Sequence, residues 1–269
     1  MTPFDLKDRV AVVTGGYGVL GGSMAEALGA AGARVVVLGR DHRAAEAKAE
    51  ALQGAGIGAM GLVADVLDDK ALVKAREALL AEWGRVDILV NAAGGHIAGA
   101  RTDHAPAFEM SLPAYEDVVR LNLHGTVYPT LVFGEAMARQ RRGSVVNISS
   151  MAATLALSGV LGYSVAKAAV ESFTRWMAVD LARRYGDGLR VNAIAPGFFV
   201  AKQNRAALLG EDGSPTERAR KILARTPMGR FGDPSELRGP VLWLCSDAAS
   251  FVTGAVVPVD GGFSADGGI

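Results

Sequence analysis

Tyr163 and Lys167 stand four residues apart in an alanine-rich stretch of helical spacing, which puts a phenol and an ammonium on one helical face. A phenol with an ordinary pKa near about 10 exchanges protons poorly at neutrality, and an adjacent ammonium stabilises its phenolate. Ser150 lies thirteen residues upstream in Asn147-Ile148-Ser149-Ser150, where its hydroxyl can hydrogen-bond a reacting oxygen. Asn122, in Leu121-Asn122-Leu123, would complete a proton relay through water. The expected chemistry is proton exchange at a substrate oxygen while a hydride moves at the neighbouring carbon. Tyr–Lys pairs at this spacing are common on helices, so the weight rests on their combination with Ser150, Asn122 and a glycine-rich turn.

That turn is Thr14-Gly15-Gly16-Tyr17-Gly18-Val19-Leu20-Gly21-Gly22, between the apolar run Val10–Val13 and a small-residue helix. Glycines let the backbone approach a pyrophosphate, and the helix N-terminus offers N–H groups and partial positive charge. Gly15, Tyr17, Gly18, Leu20 and Gly21 are therefore expected to cradle a dinucleotide, against the alternative of a purely structural turn. At the end of the second strand stands Leu38-Gly39-Arg40-Asp41, where an acidic residue would bind ribose hydroxyls. Arg40 instead suits a 2′-phosphate and favours NADP(H) over NAD(H), with Asp41 read as the cap of the next helix. Asp65 and Val66, after the third strand, are expected at the adenine edge, with helix capping the competing role for Asp65.

These groups need a scaffold. Val10–Val13, Arg34–Leu38, Gly58–Val63, Val86–Val90, Ser144–Ile148, Arg190–Ile194 and Ala255–Val259 are short, β-branched runs bounded by turn residues, and they read as seven strands. Helical stretches alternate with them: Leu20–Ala31, Arg43–Gln53, Lys70–Trp83, Ala114–Arg139, Tyr163–Arg184 and Ser235–Cys245. Continuously apolar strands in that alternation imply an α/β fold, a mainly parallel seven-stranded sheet with helices on both faces and right-handed crossovers. The rhythm breaks between Ala195 and Asp233, so residues 1–269 read as one Rossmann-fold domain with a substrate-binding lid inserted at about 198–232.

Composition narrows the partners. Half of the 269 residues are hydrophobic and 21% are charged, enough for a buried core. Lys plus Arg equals Asp plus Glu, 28 against 28, so no overall field draws the chain to nucleic acid or an anionic membrane, and a small molecule is the expected partner. Cys245 is the only cysteine and reads as helix core, and the histidines show no cage spacing, so no metal is expected. The polar start MTPFDLKDR leads directly into a strand, and no apolar run approaches about 18 residues, which gives the expectation of a soluble, cytoplasmic protein.

The chain resembles the short-chain dehydrogenase/reductase family. The resemblance rests on the Thr14–Gly21 turn, Asn91-Ala92-Ala93-Gly94, Asn122, Ser150, Tyr163 with Lys167, Pro196-Gly197 and Val259-Asp260-Gly261-Gly262. It implies a catalytic Asn122, Ser150, Tyr163 and Lys167, and an NAD(H) or NADP(H) cofactor also touching Asn91, Ala92, Gly94, Tyr163, Lys167, Pro196, Gly197 and Phe199. It further implies a homotetramer or homodimer. Asn192–Phe199, Gln203-Asn204-Arg205, Thr226–Gly232 and Pro258–Ala265 are similar to the D-mannonate oxidoreductase (fructuronate reductase) branch, with gluconate 5-dehydrogenase-like enzymes as near neighbours. That similarity implies a sugar acid interconverted between secondary alcohol and ketone. Another keto-sugar, a polyol, a cyclic ketone, or a cofactor-retaining epimerase or dehydratase reaction are the alternatives.

Two positions depart from the family pattern. Val19 replaces a common glycine, and Ala201 replaces a threonine whose hydroxyl would bind the nicotinamide carboxamide, leaving backbone near Phe199 to compensate. On the substrate side, His96 beside Gly94-Gly95 and the run Gln203-Asn204-Arg205 are expected to face the cofactor site. Arg101 is a further candidate, and Arg218, Arg220 and Lys221 read as a solvated helix face.

Overall fold

The computed structural model describes residues 3–97, 99–102, 106–201 and 204–267. Its centre is a seven-stranded sheet: β1 (Val10–Thr14), β2 (Arg34–Gly39), β3 (Ala59–Val63), β4 (Ile88–Asn91), β5 (Gly143–Ile148), β6 (Leu189–Pro196) and β7 (Val256–Val259). The spatial order is β3-β2-β1-β4-β5-β6-β7, and every neighbouring pair is parallel. This is the doubly wound arrangement of a Rossmann fold, whose ligands bind at the strands' C-terminal ends beside the reversal in order. The reversal falls between β1 and β4.

Period-2 alternation explains why the strands are apolar throughout. Ala11, Val13, Val35, Val37, Ile88, Val90 and Val146 face one core with Met24, Leu28 and Val241. Val10, Val12, Val36, Leu38, Leu89 and Val145 face the other, with Leu72, Leu79, Phe133 and Met137. The first core is roofed by α1 (Val19–Ala30), α2 (His42–Gly54) and α9 (Arg238–Cys245). The second is roofed by α3 (Asp69–Trp83), α5 (Gly125–Gln140) and α6 (Leu161–Tyr185). Cys245 is buried in α9, and burial pushes its thiol up to about 12, so it is core and not nucleophile.

The expected helix Ala114–Arg139 begins earlier and is not uniform. It consists of α4 (Leu112–Val119), a π turn at Arg120–His124, and α5. Pro129 lies inside α5 and has no N–H for the carbonyl of Gly125. Asn122, in the π turn, donates its side-chain amide to the Val118 carbonyl at 2.8 Å, and Thr126 Oγ1 donates to the Asn122 carbonyl at 3.2 Å. Periodicity cannot reveal such a turn, because the helical rod continues through it.

After β6, the chain leaves the sheet and carries α7 (Arg205–Leu208) and α8 (Glu217–Arg225) before a short 3-10 turn, Pro234–Leu237, returns it to α9. The segment is pinned at its ends by a parallel bridge between Phe199 and Gly232.

A chain of buried side chains crosses the sheet beneath its C-terminal edge. Asn91 Nδ2 in β4 donates to Thr130 Oγ1 in α5 and to Asn147 Oδ1 in β5, both at 2.8 Å. Asn147 Nδ2 donates to Thr174 Oγ1 in α6 at 2.9 Å. All four residues are essentially inaccessible to water, so any broken link strands a donor or acceptor. Asn147→Ala should lower stability by about 2–4 kcal/mol, read as a lower urea midpoint with unchanged slope. A loss under about 0.5 kcal/mol would show that the chain does not hold the sheet.

Candidate active site

At the C-terminal ends of β1, β4, β5 and β6 the polar residues converge. β1 ends in Thr14, whose Oγ1 accepts from the N–H groups of Ala92 and Ala93, both at 3.1 Å. This ties the glycine turn to the loop after β4, a positioning role that sequence reading did not assign. Gly15 has φ +62°, and a Cβ there would press on the Ala92-Ala93 backbone at about 3.0 Å. A Cβ on Gly21 would collide with the Gly15 carbonyl. The turn is therefore built to keep backbone close to whatever occupies it.

α1 begins immediately after Gly18, with no side-chain cap and no acidic residue in its first turn. Its first N–H groups have no intrahelical partners, and they face the turn with the positive end of the helix dipole. Those features fit a dinucleotide pyrophosphate. Val19 occupies the first helical position and is 43% exposed, so it clashes with nothing in the turn.

At the end of β2, Tyr17 packs on Gly39, where any Cβ would run into its ring. Its hydroxyl accepts from the Asp41 N–H at 3.4 Å. Asp41 Oδ1 accepts from the Ala44 N–H at 3.1 Å and so caps α2, leaving exposed Arg40 as the charged side chain at the strand end that is not a cap. Asp65 does not cap α3. That role belongs to Asp68, which accepts from the Ala71 N–H, while Asp65 Oδ1 holds the Leu67 N–H at 2.9 Å beside buried Val66.

Around the reacting position, Ser150 follows β5 and Tyr163 opens α6. Burial pushes the Tyr163 hydroxyl up from its ordinary value, and a hydrogen bond with Ser150 pulls it partly back. Lys167, 4% exposed, donates to the Ile148 carbonyl at 2.7 Å, and its Nζ lies 5.5 Å from the Tyr163 ring centroid. Desolvation pushes this ammonium down to about 8. Ser150 lowers the Tyr163 value through its hydrogen bond, while Lys167, expected to stabilise the phenolate, is held beneath the ring by the Ile148 carbonyl of β5.

Asn122, expected in a proton relay through water, has its side-chain amide engaged by neighbouring backbone. Its side chain accepts from the Gly95 N–H at 2.9 Å and donates to the Gly95 and Val118 carbonyls at 2.8 Å each. It is a clasp on the Gly94-Gly95 loop. Gly94 is needed there, since a Cβ would stand 2.7 Å from Asn122 Oδ1 and 3.6 Å from Lys167 Nζ. Asn91, expected at the cofactor, commits its Nδ2 to the buried chain across the sheet, while its Oδ1 accepts no hydrogen bond in the structure.

A cavity of about 140 Å³ opens above Ser150 and Tyr163, bordered by Leu20, Pro196, Gly197, Phe199 and the segment after β6. His96 stands against Tyr163 with ring centroids 4.7 Å apart. Asn204 reaches the cavity, but its side chain is engaged with the Ala201 N–H at 2.7 Å and the Phe199 carbonyl at 2.8 Å, bracing the very backbone expected to replace the missing threonine. Arg205 is exposed at the start of α7 and does not line the cavity, because buried Leu208 sets that short helix's orientation. Gln203 lies outside the described residues. Arg218 departs from the expected solvated face: it lines the cavity, whereas Arg220 and Lys221 are exposed. No group of His, Cys, Asp and Glu among the described residues is arranged to hold a metal ion.

Comparison with known proteins places this geometry. A family model described as enoyl-(acyl carrier protein) reductase matches residues 18–264. The uncharacterized oxidoreductase UxuB of Bacillus subtilis is 42% identical, over 98% of both chains. A solved structure of a proposed D-mannonate oxidoreductase from Haemophilus influenza with bound NAD is 38% identical, covers 98% of each chain and superposes with a TM-score of 0.93. A gluconate 5-dehydrogenase from Burkholderia cenocepacia in complex with NADP and tartrate is 31% identical over 98% of each chain, with a TM-score of 0.89.

Lys167 makes a measurable electrostatic signature. Its folded value of about 8 lies below its unfolded value of 10.5, so between those values the unfolded chain holds more protons and stability rises with pH. Below about pH 8 the buried charge is a full cost. Without cofactor, the unfolding free energy of wild type should gain on the order of 1–3 kcal/mol over Lys167→Met between about pH 7.5 and 9.5. A flat difference across that range would show that Lys167 is not desolvated.

Proposed function

We propose that this chain, which belongs to the short-chain dehydrogenase/reductase family, interconverts a secondary alcohol and a ketone on a sugar acid such as D-mannonate and D-fructuronate. The family membership makes it an NAD(P)-dependent oxidoreductase of CH–OH groups. The observation that carries the finer reading is the cavity over Tyr163 and Ser150. Apart from His96, its charged lining side chains among the described residues are Arg101 and Arg218. A cationic, partly enclosed cavity favours an anionic substrate. The relatives named above point the same way, since tartrate is a hydroxy dicarboxylate.

In this reading Ser150 and Tyr163 hold the substrate oxygen by hydrogen bonds. During oxidation Tyr163 takes the hydroxyl proton, and during reduction it returns one to the new alkoxide. The bound nicotinamide supplies or accepts the hydride. Lys167 places a charge below the phenol ring, where it favours the phenolate. Asn122 keeps Gly94 and Gly95 against the site. Gly15, Gly18, Gly21 and the start of α1 would hold the pyrophosphate, Asp65 and Val66 the adenine, and Pro196, Gly197 and Phe199 the nicotinamide end. Arg40 selects NADP(H) through the 2′-phosphate.

The segment at about 198–232 serves as the substrate lid. A homotetramer or homodimer belongs to the same reading, supported by apolar side chains exposed on α5 and α6: Leu131, Val165, Val179 and Trp176, the last 64% exposed. Residence in the cytoplasm, with its nicotinamide pools, completes it.

Tyr163→Phe should cost about 10²–10⁴-fold in kcat while leaving NADPH affinity intact, measured by cofactor absorbance with a panel of hexonates and keto-hexonates. Retained turnover would sink the assignment of Tyr163. Arg40→Asp should weaken NADPH relative to NADH at least tenfold in kcat/KM, and an unchanged preference would remove Arg40 from the cofactor argument.

A further inference from the structure

Arg218 occupies a position that the proposed function leaves open. α8 is seated by Ala219 and Ile222, which bury against Met151, Leu208 and Phe263. Its first turn is fixed by Thr216, whose hydroxyl oxygen accepts from the Ala219 N–H at 3.1 Å. With that face committed inward, Arg218 comes to the inner rim and is half-buried. Its neighbours are used differently: Arg220 donates to the Pro215 carbonyl at 2.9 Å, and Lys221 pairs with Glu217 at 2.8 Å in full solvent.

The direction of Arg218 is set by one turn of the chain. Its Nη2 donates to the Ser158 carbonyl at 3.1 Å and its Nη1 to Ser158 Oγ at 3.3 Å. The loop carrying Arg101 meets the same turn, since the Thr102 N–H donates to the Gly159 carbonyl at 3.2 Å. Ser158-Gly159 leads into α6 just before Tyr163. The Arg218 guanidinium and the backbone of the loop after Arg101 thus meet at the turn that delivers the phenol. The contact that seats α8 also runs through Met151, the residue after Ser150, so the guanidinium and the hydroxyl share one support.

We propose that Arg218 is a specificity-determining residue: it reads the carboxylate of the substrate and makes the enzyme select a hydroxy or keto acid over the neutral polyol of the same carbon skeleton. This rests on the reading of the site as a sugar-acid oxidoreductase. A guanidinium presents paired donors that match a carboxylate, and partial enclosure strengthens that charge-assisted pairing. A lysine at this place would supply charge without the fork.

The test compares wild type, Arg218→Met and Arg218→Lys at saturating cofactor, each with a hexonate that wild type oxidises and with the hexitol that carries CH₂OH in place of its carboxylate. For Arg218→Met, kcat/KM on the hexonate should fall about 10²-fold, mainly through KM, while the value for the hexitol and the KM of the cofactor stay unchanged. Arg218→Lys should recover about tenfold of that loss. Hexonate titration into the cofactor-loaded Tyr163→Phe protein, with and without Arg218→Met, gives the same comparison without turnover. Equal losses on acid and polyol would show that Arg218 only seats the insertion and would overturn the proposal. If wild type favours the acid and Arg218→Met keeps that preference, the proposal fails while the sugar-acid reading stands. If wild type handles and binds the polyol as well as the acid, the sugar-acid reading itself fails and takes the proposal with it.

Discussion

The hydrogen-bonded chain Thr130–Asn91–Asn147–Thr174 is the constraint on which the rest of the site depends. It joins α5, β4, β5 and α6, and each of these carries or adjoins a residue of the candidate site. The π turn with Asn122 leads into α5, the Gly94-Gly95 loop follows β4, Ser150 follows β5, and Tyr163 and Lys167 ride on α6. Apolar packing alone tolerates small slips between layers, because dispersion contacts are non-directional. Directional bonds between buried amides and hydroxyls do not, since each slip strands a polar group away from water. Placed just below the chemistry, they convert a generic α/β sandwich into one with a defined upper edge.

The second constraint is electrostatic. Lys167 is carried into the protein with a carbonyl, and no carboxylate, as its hydrogen-bond partner, and burial lowers its proton affinity. Tyr163, its neighbour one turn away, is pushed in the opposite sense by the same burial. Without ligand, the low dielectric therefore favours the neutral forms of both groups. The ammonium form of Lys167 is therefore held at a cost to stability.

The segment after β6 is coupled to this centre by packing. The small cluster of Met151, Leu208, Ala219, Ile222 and Phe263 stands apart from the two cores of the sheet, and it joins the inserted helices to the residue beside Ser150. Asn204 braces the start of the segment, and the Phe199–Gly232 bridge closes its base. The cavity thus has one wall built on the sheet and another built on the insertion.

Strand–helix alternation, the glycine turn, and the types and spacing of Ser150, Tyr163 and Lys167 were legible in the sequence, because each follows from local geometry: period 2 or 3.6, φ freedom, or one helical turn. The capping role of Asp41 was equally local. Roles set by partners distant in the chain were not. Asn122 gave no sign that its amide is engaged by Gly95 and Val118, nor Asn91 that its Nδ2 goes to Thr130 and Asn147, and Asp65 could not be told from Asp68 as the cap of α3. Arg218 and Arg220 are equivalent as letters in a basic run. Only the burial of Ala219 and Ile222 against Met151 and Phe263 turns one toward the cavity and the other to water. The sequence by itself determined which chemistry was available and on which elements it stood. Tertiary structure decided which polar groups remain for a ligand, because a hydrogen bond or a buried face is satisfied by whichever partner the fold brings near.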